Sequence, residues 1–242
     1  MLSLRDSLEP HTVPRRSIAS ATFQFRPIVK IQNLLLAVAL LALVPLAAPA
    51  KDSPQNEKLL KATDPFETLA ETALTGDAVK INDAYKAVQV SRTTTRALLP
   101  AGSLARYDEL FTALEAAQTK HDNLAVSLQG SELYKAVVSA LDSTALTIPK
   151  EIHLLDYVGF RISALVQPSA PDWSAIAATT TEGSGYWAAV REKVGDTKLR
   201  GKMDKALADL TKGAMKHDVS LTKKSVKADL DLVDDIEKYF SK

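Results

Sequence analysis

The chain has 242 residues, a formal net charge of +1, 24% charged residues and no cysteine. Such a balance offers no basic field for nucleic acid and no acidic block for a basic partner. The missing cysteines exclude disulfides, thiolate metal ligands, c-type haem attachment and cysteine nucleophiles.

Asn33 to Ala50 (NLLLAVALLALVPLAAPA) is apolar and uncharged, follows Arg26 and Lys30, and ends in Ala48-Pro49-Ala50. A basic start, an apolar middle and a small-x-small end make a secretory signal peptide. The layout predicts cleavage after Ala50 and a periplasmic or secreted chain beginning at Lys51. The rival reading is a membrane anchor, which needs about 20 apolar residues. Pro45 near the end of the run tends to stop a helix, so no stable membrane insertion is expected after cleavage. Residues 1–28 read as an over-called start, with Val29 the true initiator if its codon is GTG. Arg15-Arg16 as a twin-arginine signal lies too far from the apolar run. Asp6 and Glu9 argue against a bipartite organelle address, because transit peptides are poor in acids. Removing residues 1–50 takes away five bases and two acids and leaves a net charge of about −2. Residues 51–63 read as a flexible, polar mature N-terminus.

Residues 64–242 read as one helical domain. Asp64-Pro65 opens a helix through Leu74, with Asp as N-cap and Pro in the first turn. Asp77 starts a second helix to Leu99, stopped by Pro100 and Gly102. Ser103 caps a third, striped by Leu104, Tyr107, Phe111, Leu114, His121, Ala125 and Leu128, with Gly130 as its break. Ser131 opens a fourth through Leu141, and Pro149 a fifth to Val166. Asp172 caps a sixth, which Gly183-Ser184-Gly185 interrupts; helix resumes at Tyr186-Trp187 and runs to Val194. Asp196 caps a last long helix from Thr197 to Tyr239, bent near Gly213 or Lys223-Lys224. Few glycines and aromatics, much alanine and leucine, and turns marked by Gly or Pro predict an all-α antiparallel helical bundle.

Aligned at an offset of 96, residues 107–122 and 203–218 share Asp108/Asp204, Leu114/Leu210, Lys120/Lys216, His121/His217 and Asp122/Asp218. Two duplicated helical hairpins explain this match; chance between alanine-rich helices of equal period also does.

His121 and His217 fall on apolar stripes, each followed by an acid, Asp122 and Asp218. Matching inward side chains in a pseudo-symmetric bundle converge near its axis, and imidazole binds zinc, copper, nickel and iron. His153 is a third candidate, with Asp156 and Tyr157 on the same helical face. The expected cofactor on this reading is a transition metal or haem. The plainer reading is a set of hydrogen-bonded core or surface histidines. Neither His121 nor His217 has an acid three residues before it, so the Glu-x-x-His signature of di-iron bundles is absent at both. Trp173, Tyr186, Trp187, Phe160 and Phe240 suit core anchors better than a ligand box. Arg92, Arg96 and Arg191 suit ion pairs better than an anion site. No Gly-x-Ser-x-Gly or His-Glu-x-x-His occurs, and Ser220-Leu221-Thr222-Lys223 lacks its companion motifs. The sequence carries no enzyme signature.

The segments LDYVGFRISAL, DWSAIAA, YWAAV and DLDLVDDIEKYF together resemble those of exported helical-bundle proteins of bacteria. Leader and architecture are also similar to those of PsbQ-like bundles, which makes the thylakoid lumen the alternative address. The leading expectation is a non-catalytic envelope protein that binds a partner protein or small ligand. The alternative is a metal- or haem-binding redox or metal-handling protein.

Overall fold

The computed structural model describes residues 51–167 and 171–242; the leader and the export reading lie outside them. Among the described residues there are helices and no strand. They are α1 (Pro54–Lys61), α2 (Asp64–Ala73), α3 (Ala78–Leu98), α4 (Ala101–Thr119), α5 (Asn123–Ser139), α6 (Lys150–Leu165), α7 (Trp173–Val190), α8 (Thr197–Lys216) and α9 (Val219–Phe240). None of them is long and apolar enough to cross a membrane.

Aspartate sets five of the helix starts. The carboxylates of Asp77, Asp122, Asp172, Asp196 and Asp218 accept backbone N–H bonds from the first turns of α3, α5, α7, α8 and α9. Each satisfies donors that a helix leaves orphaned at its N-terminus.

α2 and α4 begin earlier than expected, with Thr63 and Pro100 at the N-cap positions in place of Asp64 and Ser103 and with Gly102 inside α4, and four larger differences stand beside these. First, α1 occupies the stretch read as flexible. Ser53 caps it, and the buried Asn56 amide donates to the Asp142 and Ala145 carbonyls at 2.9 and 2.6 Å. Asp52 accepts from the Thr147 backbone at 2.6 Å, so the segment is clasped to the loop that leads into α6. Second, the stripe through His121 spans two helices. α4 ends at Thr119 and α5 begins at Asn123, running unbroken past Gly130. Third, α7 is continuous through Gly183-Ser184-Gly185. Fourth, the last long helix folds back on itself at His217-Asp218 to give α8 and α9.

The two unforeseen turns share one geometry. His121 and His217 both have φ +53°, in the left-handed region. Asp122 N–H bonds to the Ala117 carbonyl and Asp218 N–H to that of Gly213, while His121 N–H reaches Gln118 and His217 N–H reaches Ala214. This paired pattern is a Schellman ending, with histidine where glycine is usual, and the next aspartate caps the following helix. Two of the three remaining identities at offset 96 are structural too. Leu114 and Leu210 are buried, and Asp108 and Asp204 receive the forked guanidinium groups of Arg96 and Arg191.

Helix neighbours follow the chain in hairpins: α4 packs on α5, α6 on α7 and α8 on α9. α5 also packs on α2 and α6, and α6 on α9, so α5 and α6 form the middle of the bundle. Two apolar clusters fill it. One is built around Phe66, Tyr107, Phe111 and Leu133, the other around Ile152, Trp187, Met203 and Val233. α2 meets α6 only sparsely, and a cleft of about 500 Å³ opens between α2, α6 and α9.

Candidate metal centre

Glu67 and Glu71 of α2, Asp156 of α6 and Asp234 of α9 line the cleft, and His153 of α6 and Glu237 of α9 stand three residues from Asp156 and Asp234 on the same helices. Spacings of three and four place each pair on one face of its helix. Packing of α6 on α9 brings the pairs of these two helices together. His153 Nδ1 lies 2.7 Å from Glu237 Oε1, and ligand atoms of His153, Asp156 and Glu237 all lie within 4.8 Å of one another. Among the described residues this is the only group of three or more ligating side chains so gathered.

Its surroundings are short of positive charge. His153 is 8% exposed, and its buried Nε2 has no hydrogen-bond partner among the described residues. Among the described residues no Lys or Arg forms an ion pair with Glu67, Glu71, Asp156, Asp234 or Glu237, although most arginines in the bundle are paired. Lys223 and Lys227 border the cleft but are engaged with Gln167 and Asp231. Burial, followed by the charges of Glu237, Glu67, Asp229 and Asp234, holds Asp156 well above the usual carboxylate range. Burial and the charge of Glu71 are the largest causes that push Glu67 up to about 7. Glu71 is raised by burial and by Asp234. Mutual repulsion of this kind is relieved by a proton or by a cation.

The donor set can hold a transition-metal ion. One imidazole with two carboxylates suits zinc, manganese, iron, cobalt or nickel, and offers no sulfur for copper(I). Donors bound at about 2.1 Å to one tetrahedral ion sit about 3.4 Å apart, so the His153–Glu237 pair, in direct contact at 2.7 Å, would open by about 0.7 Å to admit one. Three protein ligands leave a coordination position open, as in exchangeable or catalytic sites. Asp156 itself borders the cleft, beside Glu67, Glu71, Phe160, Leu230 and Asp234.

The sequence candidates divide cleanly. His153 and Asp156 are in the cluster; His121, Asp122, His217 and Asp218 are not. The latter four are exposed turn residues, and the expectation that His121 and His217 project inward is corrected by their place at the helix ends, where the apolar stripe stops. His217 instead stacks on Trp173, with ring centroids 5.0 Å apart. Tyr157 turns away from the cluster and donates to Glu132. Arg92, Arg96 and Arg191 are ion-paired to Glu115, Asp108 and Asp204. The sequence reading singled out none of Glu237, Glu67 and Asp234. No signal within α9 marks Glu237, because the spacing of three from Asp234 recurs between Asp231 and Asp234. Comparison with protein-family models, curated proteins and solved structures gave no match, so the reading of the site rests on its own geometry.

Proposed function

We propose that the protein binds a divalent transition-metal ion through His153, Asp156 and Glu237 and handles it as an exchangeable ion in the cell envelope. The observation that carries this is the His153–Glu237 contact of 2.7 Å with Asp156 beside it, among carboxylates that pair with no Lys or Arg among the described residues. A free ion suits the donors better than haem, whose axial ligands are His, Met, Cys or Tyr rather than carboxylates. The envelope address rests on the leader sequence alone.

Partner-protein binding has less to support it. It calls for a contiguous apolar patch. The large apolar side chains exposed among the described residues are Val79 and Val90 on α3 and Met215 and Val219 at the α8–α9 turn. These are single residues at separate places.

The test is metal content of the protein purified from an export host without chelator, and again after metal loading and dialysis. About one equivalent per chain is expected. It should be lost in His153→Ala and Glu237→Gln and retained in His121→Ala and His217→Ala. Metal-free protein after loading, or metal that survives both first substitutions, overturns the reading.

A further inference from the structure

Tyr134 lies on α5, 3% exposed, with its ring edge-on to Phe160 at 5.4 Å between centroids and 90° between planes. Phe160 forms part of the cleft wall, so the phenol is wedged behind the site. Among the described residues its hydroxyl makes one hydrogen bond, to Asp156 Oδ2 at 3.4 Å. A buried hydroxyl needs a partner, and this one has only the carboxylate. The other buried tyrosines are satisfied elsewhere: Tyr157 donates to Glu132 and Tyr107 to the Arg92 carbonyl.

The phenol leaves Oδ2 a lone pair, but its hydrogen bond restrains the turning of the carboxylate and makes Oδ2 the weaker donor of the two oxygens. We propose that Tyr134 is a positioning residue that holds Asp156 monodentate, and so selects small transition-metal ions over calcium-sized ones. The proposal rests on the metal reading of the same site. Calcium gathers six to eight oxygens at longer distances and commonly takes carboxylates through both oxygens. Zinc and cobalt are content with four or five donors, each carboxylate giving one. With Oδ2 of Asp156 held by the phenol, the protein supplies three donors and a calcium ion is left short. Removing the hydroxyl frees Asp156 to rotate and chelate.

The experiment titrates the full chain and its Tyr134→Phe variant with cobalt(II), and with calcium in competition. Phenylalanine keeps the edge contact with Phe160. In the parent the expected cobalt spectrum is the intense visible band of a four- or five-coordinate ion, with calcium a poor competitor. In Tyr134→Phe, cobalt affinity should fall about 10- to 100-fold, as it does when partners of metal ligands are removed. The visible band should weaken towards a six-coordinate form, and calcium should compete better. A merely structural role would lower the melting temperature and leave the spectrum and the cobalt-to-calcium preference unchanged, which overturns the proposal. A parent protein that binds no cobalt overturns the site itself; one that binds, with a variant indistinguishable from it, overturns only the role of Tyr134. Should the variant not fold, calcium that competes with cobalt on equal terms in the parent rejects the proposal, and calcium that fails to compete supports it.

Discussion

Asp229 sits on the inner face of α9 with 0% exposure, and neither carboxylate oxygen has a hydrogen-bond partner among the described residues. A charge in such a place is costly, so the group keeps its proton. Burial alone pushes it up to about 8, from an ordinary value of 3.8. Across that interval the folded chain binds a proton that the unfolded chain has released. Stability from this group therefore falls as pH rises from about 4, and the loss is complete above about 8. Asp229→Asn removes the ionisation while keeping the shape. We expect the variant to melt close to the parent at about pH 4 and to exceed it at about pH 9, by on the order of a few kcal/mol. Melting curves that run parallel at the two pH values would show that Asp229 is not the group responsible.

At the scale of the element, the turns and glycines separate what was legible from what was not. Helix starts were legible where aspartate precedes an apolar stripe, as at Asp77, Asp172 and Asp196, because capping is chemistry within a few residues. The turns at His121 and His217 were not, since a left-handed ending is signalled by glycine and here carries histidine. Replacement of His121 by glycine should stabilise the protein by about 0.5–1 kcal/mol, through relief of the left-handed strain. For His217→Gly the gain should be smaller, because the stack on Trp173 is lost with the ring. Equilibrium denaturation of both variants checks the order; a loss at His121 contradicts the strain argument. Gly130 and Gly183 misled for the opposite reason: they read as breaks, yet they are contact points inside helices. A Cβ on Gly130 would meet the Ala70 nitrogen at 3.2 Å and the Phe66 carbonyl at 3.3 Å, both backbone atoms of α2. Gly130→Ala should thus cost about 1–3 kcal/mol by forcing α2 from α5. Gly185 has open space around its Cβ position, and Gly185→Ala should gain about 0.5–1 kcal/mol from helix propensity. Equal effects of the two substitutions would mean that helix approach does not govern Gly130.

For the whole molecule, half of the candidate site was readable and half was tertiary. His153 and Asp156 share one helical face, which the spacing of three reveals. Nothing within α9 distinguishes Glu237 and Asp234 from the solvated charges beside them, such as Asp231 and Asp235. Only the packing of α9 on α6 turns one of these acids towards an imidazole. The same packing makes a bound ion a tie between two helices joined through α7 and α8, so binding and folding are linked. An ion held by the folded chain alone stabilises it by about 2.7 kcal/mol at a concentration of 100 times the dissociation constant. The melting temperature should accordingly climb with added zinc or manganese in the parent and stay level in Glu237→Gln. Protons compete for the same oxygens. Asp156 is held above the usual carboxylate range and Glu67 is pushed up to about 7, so the ion must displace protons from the cleft when it enters below that pH. The metal-induced rise in melting temperature should therefore be small at about pH 5 and grow through about pH 8. Proton release measured calorimetrically in buffers of different ionisation enthalpy should shrink over the same interval. A rise independent of pH would place the ion on groups already ionised, away from Asp156 and Glu67.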